Sequence, residues 1–188
     1  MDANSKIIKK ICTAITESNE KAVKLIIKKE YPHSPITKHQ RRYTDKQKLQ
    51  IYLRDGFIDR YSGKKLIFPP VLRIISHLYP VIFPFHKNWK FDECHISYWQ
   101  LVPTIDHIIP IARGGLDRIE NMVSTSQLKN SIKSSWLLEE LNWRICPIGQ
   151  LSNWDGLINW YIHYIDKNEI ALKDPYFKKW YTLLKNSL

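Results

Sequence analysis

The chain has 188 residues, 44% hydrophobic and 12% aromatic, with three cysteines and a formal net charge of +11. That size gives one domain, or one with a small appendage, and a core large enough to exclude disorder along its whole length. No apolar run reaches the ~18 residues that cross a bilayer, and residues 1–6 carry no signal-peptide apolar region, so the expected location is cytoplasmic.

Cys12, Cys94 and Cys146 are far apart and odd in number, which gives neither a disulfide framework nor a Cys-x-x-Cys zinc pair. The charge is uneven. Residues 1–54 hold 13 Lys and Arg against 5 Asp and Glu, so +8 of the +11 lies there. A polyanion is the natural partner of such a segment, because neutralising phosphates releases counterions.

Along the chain, Ile7, Ile8, Ile11 and Ile15, then Val23, Ile26 and Ile27, recur near helical spacing, with a break at Ser18-Asn19-Glu20. Two short helices are expected over residues 5–30. Residues 37–43, which include Lys38, Arg41 and Arg42, are basic without apolar periodicity and form a linker or a phosphate-contacting arm. The expected division is a basic helical segment, 1–43, and a main domain, 44–188.

Thr44-Asp-Lys-Gln47 fits a capping box and opens a helix that ends at Asp55-Gly56. Pro69-Pro70 with Val71, Leu72, Ile75 and Leu78 predicts a helix with proline in its first turn, stopped before Pro80. Residues 81–85 read as a packed loop, and Trp89, Phe91, Tyr98 and Trp99 add apolar area, so the insert 67–101 is expected to be a hydrophobic support. Cys94, His95, His77 and His86 have none of the usual zinc spacings and are read as packing residues. Residues 134–188 are expected to add helices: one at 136–141, one at 157–165, and one at 177–184 capped by Asp174-Pro175.

Most of the suggestive chemistry lies in residues 102–133. An apolar run leads into Asp106-His107, which point to opposite faces in a strand or converge in a turn. Gly114-Gly115 reverses the chain, and residues 119–123 can pair back on the first strand. Thr125 or Ser126 then caps a helix whose apolar face carries Leu128 and Ile132.

This segment resembles the HNH nucleases, the ββα-metal finger family, in Asp106-His107, the Gly-Gly loop, Asn121 fourteen residues after His107, Asn130 nine further on, and Lys133. The resemblance covers 32 of the 188 residues. It implies a ββα-metal finger, and with the helices expected on either side the fold class is α+β, mostly α, with the finger embedded in flanking helices. It also implies that His107 is a general base, Asp106 and Asn130 are metal ligands, and Asn121 holds the loop and His107 in place.

One carboxylate and one amide suit Mg²⁺ or Mn²⁺ completed by waters and phosphate oxygens. Where many HNH proteins carry a zinc site, this chain has Tyr61-Ser62-Gly63, so no structural zinc is expected. Arg113, Lys129, Lys133, Arg41 and Arg42 are candidate phosphate contacts. The expected function is a metal-dependent DNA endonuclease, with a restriction or other defence role suited to the extra helices. The alternatives are a nucleic-acid-binding module that does not cut, and a toxin-like nuclease that also acts on RNA. Palindromic double-strand cutting would favour a homodimer.

Overall fold

The computed structural model describes residues 3–33 and 43–187. The chain divides into two units, residues 1–39 and 40–188. Tyr43 therefore belongs with the second unit and not with the basic segment, because its hydroxyl donates to Asp117 at 2.7 Å. The expected arm residues Arg41 and Arg42 lie outside the described residues.

The first unit is a pair of amphipathic helices, α1 (Ala3–Thr16) and α2 (Glu20–Glu30), packed on each other. The break falls where the sequence places it. Ser18 takes a left-handed φ of 53°, and the Asn19 side chain caps α2 by accepting from the Ala22 amide at 3.0 Å. A Lys10–Glu30 pair at 2.7 Å bridges the two helices.

The second unit is mostly helical with a single two-stranded antiparallel sheet, so the fold is α+β, mostly α. Its elements are α3 (Asp45–Arg54), α4 (Pro69–Leu78), α5 (Ser97–Leu101), β1 (Pro103–His107), β2 (Met122–Ser126), α6 (Gln127–Lys133), α7 (Ile158–Lys167) and α8 (Pro175–Lys185). Local chemistry sets several of these ends. Thr44 and Gln47 form the reciprocal capping box of α3, α4 has proline in its first turn, and Asp174 caps α8 through the Tyr176 amide.

Phe68 is fully buried at the centre of the core, meeting Phe57, Tyr161 and Trp180 edge-on at centroid distances of 6.3, 5.2 and 5.4 Å. Around it pack Leu49 and Tyr52 of α3, Ile74 of α4, Ile165 of α7 and Leu184 of α8. The insert supplies a second cluster of Leu72, Cys94, Tyr98 and Val102, flanked by Phe83, Phe85 and Trp89. It lies immediately before β1, and Val102 carries it to the strand. Cys94 accepts from the His86 amide at 3.2 Å, and His95 stacks on Phe83 at 4.1 Å, so both are engaged in packing contacts. No helix among the described residues is long and apolar enough to cross a membrane.

Two sequence expectations are corrected downstream of β2. A helix through 136–141 does not form: α6 ends at Lys133, Ser134 takes φ 48°, and 139–141 is one 3₁₀ turn whose Glu140 carboxylate accepts from the Leu137 amide at 2.8 Å. The inner face of α6 also differs from the Leu128–Ile132 reading. Ile132 is 49% exposed, and Lys133 is the fully buried residue.

Candidate active site

β1 and β2 pair in register from Pro103 with Ser126 to His107 with Met122, and α6 follows β2 directly. The return strand begins three residues later than the apolar run 119–123 suggests, because Ile119–Asn121 coils into a 3₁₀ turn first. A two-stranded sheet leaves each strand one open edge, yet every residue of β2 is buried. The chain after α3 covers that edge. The Arg60 amide donates to Ser124 O at 2.9 Å, and the Ser124 amide donates to Asp55 Oδ2 at 2.6 Å. Asp59 accepts from Thr125 Oγ1 at 2.9 Å, Ser126 Oγ at 2.8 Å and the Ser126 amide at 3.2 Å.

Both carboxylates are buried, and Asp55 is neutralised by Arg54 at 2.9 Å and Arg60 at 3.1 Å. Buried polar groups persist only with partners, and here the partners are the strand's own donors. Sequence reasoning missed Asp55 and Asp59 as site supports. Asp55-Gly56 carries the local signature of a helix end, which it also is.

One side chain makes several of the ties that shape the loop between the strands. Asn121 Oδ1 accepts from the Ile109 amide at 2.9 Å, while Nδ2 donates to Ile109 O and to Leu116 O, each at 2.9 Å. Its own carbonyl accepts from the Ile108 amide at 2.8 Å. The two glycines serve different needs. Gly114 takes a left-handed φ of 86°, whereas a Cβ on Gly115 would stand 1.9 Å from Ile109 O and 2.9 Å from Asn121 Nδ2.

Asp106 and His107 are consecutive strand residues and face opposite sides of β1. On one side Asp106 Oδ2 pairs with Lys133 Nζ at 2.9 Å and accepts from Tyr61 Oη at 2.7 Å, and Lys133 Nζ also donates to His107 O at 2.7 Å. Burial first, and then the Asp106 carboxylate, push the Tyr61 phenol far above its ordinary range, so it stays a donor. Lys133, expected to touch phosphate, is 0% exposed. Its ammonium is committed to the end of β1.

Asp106 Oδ1 makes no hydrogen bond among the described residues. Asn130 is half-buried and one helical turn before Lys133, which places it on the same side of α6. An open carboxylate oxygen and an amide oxygen are hard donors of the kind that Mg²⁺ takes, although the ammonium on Oδ2 weakens the pull on a cation. Among the described residues, no group of three or more His, Cys, Asp or Glu side chains is arranged to hold a metal.

On the other side of β1, His107 is 3% exposed, with Nε2 at 2.8 Å from Asp117 Oδ1 and 3.3 Å from Tyr43 Oη. Of the remaining candidates, Lys129 Nζ sits 4.3 Å over the Trp143 ring, and Arg113 pairs with Glu140 at 2.9 Å with 41% of its side chain exposed. No family model, curated protein or solved structure matches the chain.

Proposed function

We propose that the chain is a metal-dependent endonuclease of the HNH type that hydrolyses phosphodiester bonds in DNA. The observation that carries this reading is the coincidence of order and geometry at the end of β1. Asp106 and His107 close the strand, Asn121 ties the following loop by three side-chain hydrogen bonds, and α6 brings Lys133 onto Asp106, with Asn130 three residues before it in the same helix. Each residue type by itself is ordinary; together they supply the parts of one reaction.

In this reading His107 is the group that takes a proton from the attacking water. Asp106 and Asn130 would hold a divalent cation, which when bound neutralises charge on the scissile phosphate and assists the leaving oxygen. Lys133 and Tyr61 fix the Asp106 carboxylate in one orientation, so that its free oxygen is presented rather than left to rotate. The net charge of +11 supplies the electrostatic part of binding, and Arg113 and Lys129 are exposed or half-exposed cations within the finger.

His107→Ala should abolish plasmid cleavage, a loss of roughly 10²–10⁴-fold or more, while DNA binding by gel shift is retained. Near-normal cutting by that variant would remove His107 from the reaction. Running structured and single-stranded RNA beside the plasmid separates a DNA enzyme from one that accepts both.

A further inference from the structure

We propose that a cavity between α4, the insert and the start of α8 takes one unpaired nucleotide of a nucleic-acid strand, its phosphate on Arg73 and Lys87 and its base against an aromatic wall. The proposal is independent of the reading of residues 102–133 as a nuclease site. The cavity measures about 280 Å³ and is lined by Arg73, Lys87, Phe85, Trp89, Tyr98 and Tyr176, together with apolar residues. No Asp or Glu among the described residues is part of its wall. Two cations in an otherwise apolar and aromatic lining suit an anion that carries a flat ring.

Arg73 is half-buried on α4, with its guanidinium carbon 3.6 Å from the centre of the Phe85 ring and 5.4 Å from that of Tyr176. The rings hold it in place of an acid: its side chain makes no hydrogen bond or ion pair with a described residue. A guanidinium fixed in this way keeps its fork of donors for a pair of phosphate oxygens.

Trp89 is the second pointer. Its φ of 54° is a left-handed conformation that a bulky residue keeps only where its surroundings hold it, and such strain gathers at binding sites. The indole stands edge-on to Phe85, Tyr98 and Trp99 at 6.3, 5.8 and 6.4 Å and stays only partly buried. The Tyr98 hydroxyl is committed to Leu72 O at 2.9 Å and Ser76 Oγ at 2.6 Å, so it does not read a base edge. Recognition is then by stacking and charge, with little regard for which base is bound. A paired base is shut inside its duplex, and the net charge of +11 favours a strand over a free nucleotide.

The test compares, by fluorescence anisotropy on the full chain without divalent metal, a labelled single-stranded oligothymidylate, an abasic strand with the same number of phosphates, and a blunt duplex. The wild type should bind the base-bearing strand roughly 5–150-fold more tightly than the abasic one, the range that one stacked base supplies. Trp89→Gly removes the ring and suits the left-handed backbone, so it should erase most of that preference and leave duplex affinity unchanged. Arg73→Gln should weaken both single strands. Lys87→Gln, at an exposed position, should flatten the salt dependence of single-strand binding by about 0.7 in the slope of log affinity against log salt. Thymidine monophosphate should compete weakly. Equal wild-type affinity for the two strands would overturn the proposal, as would wild-type binding in both Trp89→Gly and Arg73→Gln. So would displacement of the labelled strand by thymidine monophosphate or by a glutamate-rich peptide as readily as by unlabelled strand.

Discussion

Lys133 is a single side chain near the site with a large energetic consequence. It is fully buried, and its ammonium is balanced by Asp106 Oδ2 at 2.9 Å and His107 O at 2.7 Å. Removing one partner of such a pair leaves the other charge buried without compensation, at a cost of about 3–5 kcal/mol. Lys133→Ala and Asp106→Ala should both lower the unfolding free energy by about such an amount, and the double variant should cost less than the two added. A midpoint unchanged in either single variant, measured by urea unfolding, would show that the pair is solvated. Asp106→Ala is accordingly a poor probe of metal binding alone. Asp106→Asn keeps the shape and an oxygen for Tyr61 and Lys133 but still removes the charge that balances the ammonium, so weakened Mn²⁺ binding by calorimetry is to be read beside its unfolding free energy.

The ββα element depends on contacts made from outside it. Asp59→Ala would leave the hydroxyls of Thr125 and Ser126 and the Ser126 amide without their acceptor, and each orphaned buried group costs about 1–3 kcal/mol. Gly115→Ala acts on the other end of the finger by pushing Ile109 away from Asn121. Amide exchange should therefore rise along β2 in the first variant and around Ile109 in the second. Protection unchanged in both would contradict these roles.

The sequence made the locally determined parts legible. The capping box at Thr44, the prolines opening α4, the cap at Asp174 and the reversal at Gly114-Gly115 all depend on residues within a turn or a loop of one another. The supports were hidden because their partners are distant in the chain: Asp55 meets Ser124 and Asp59 meets Thr125, contacts that no periodicity announces. Lys133 was hidden for a related reason. A lysine next to an apolar position reads as surface charge until the carboxylate that holds it is placed.

Over the whole molecule, the aromatic core makes stability sensitive to alkali. Burial is the leading cause that raises the phenols of Tyr52, Tyr61 and Tyr161 above their ordinary range and pushes Tyr98 up to about 12, from a usual 10.0. Above the usual value the unfolded chain releases these protons while the folded protein keeps them, so the folded state binds more protons and stability falls as pH rises. Their contribution is complete below about pH 10 and declines above it by about 1.4 kcal/mol per pH unit for each phenol. Urea unfolding from neutral pH to about pH 11 should show a plateau and then a steep loss; stability level through that range would mean that these hydroxyls reach water.

Cleavage and folding should respond differently to metal, and that difference bears most directly on the proposed chemistry. The core is built from apolar and aromatic clusters, while the cation would be held by two protein donors and contribute to stability only in proportion to its occupancy. The decisive measurement is the rate of supercoiled plasmid cleavage in Mg²⁺, after EDTA, and after Mg²⁺ is restored, with the melting temperature followed in the same samples. Cleavage should stop in EDTA and return with Mg²⁺ while the melting temperature stays nearly constant. Undiminished cutting in EDTA, or no cutting of any nucleic acid in Mg²⁺ or Mn²⁺, would contradict a metal-dependent nuclease.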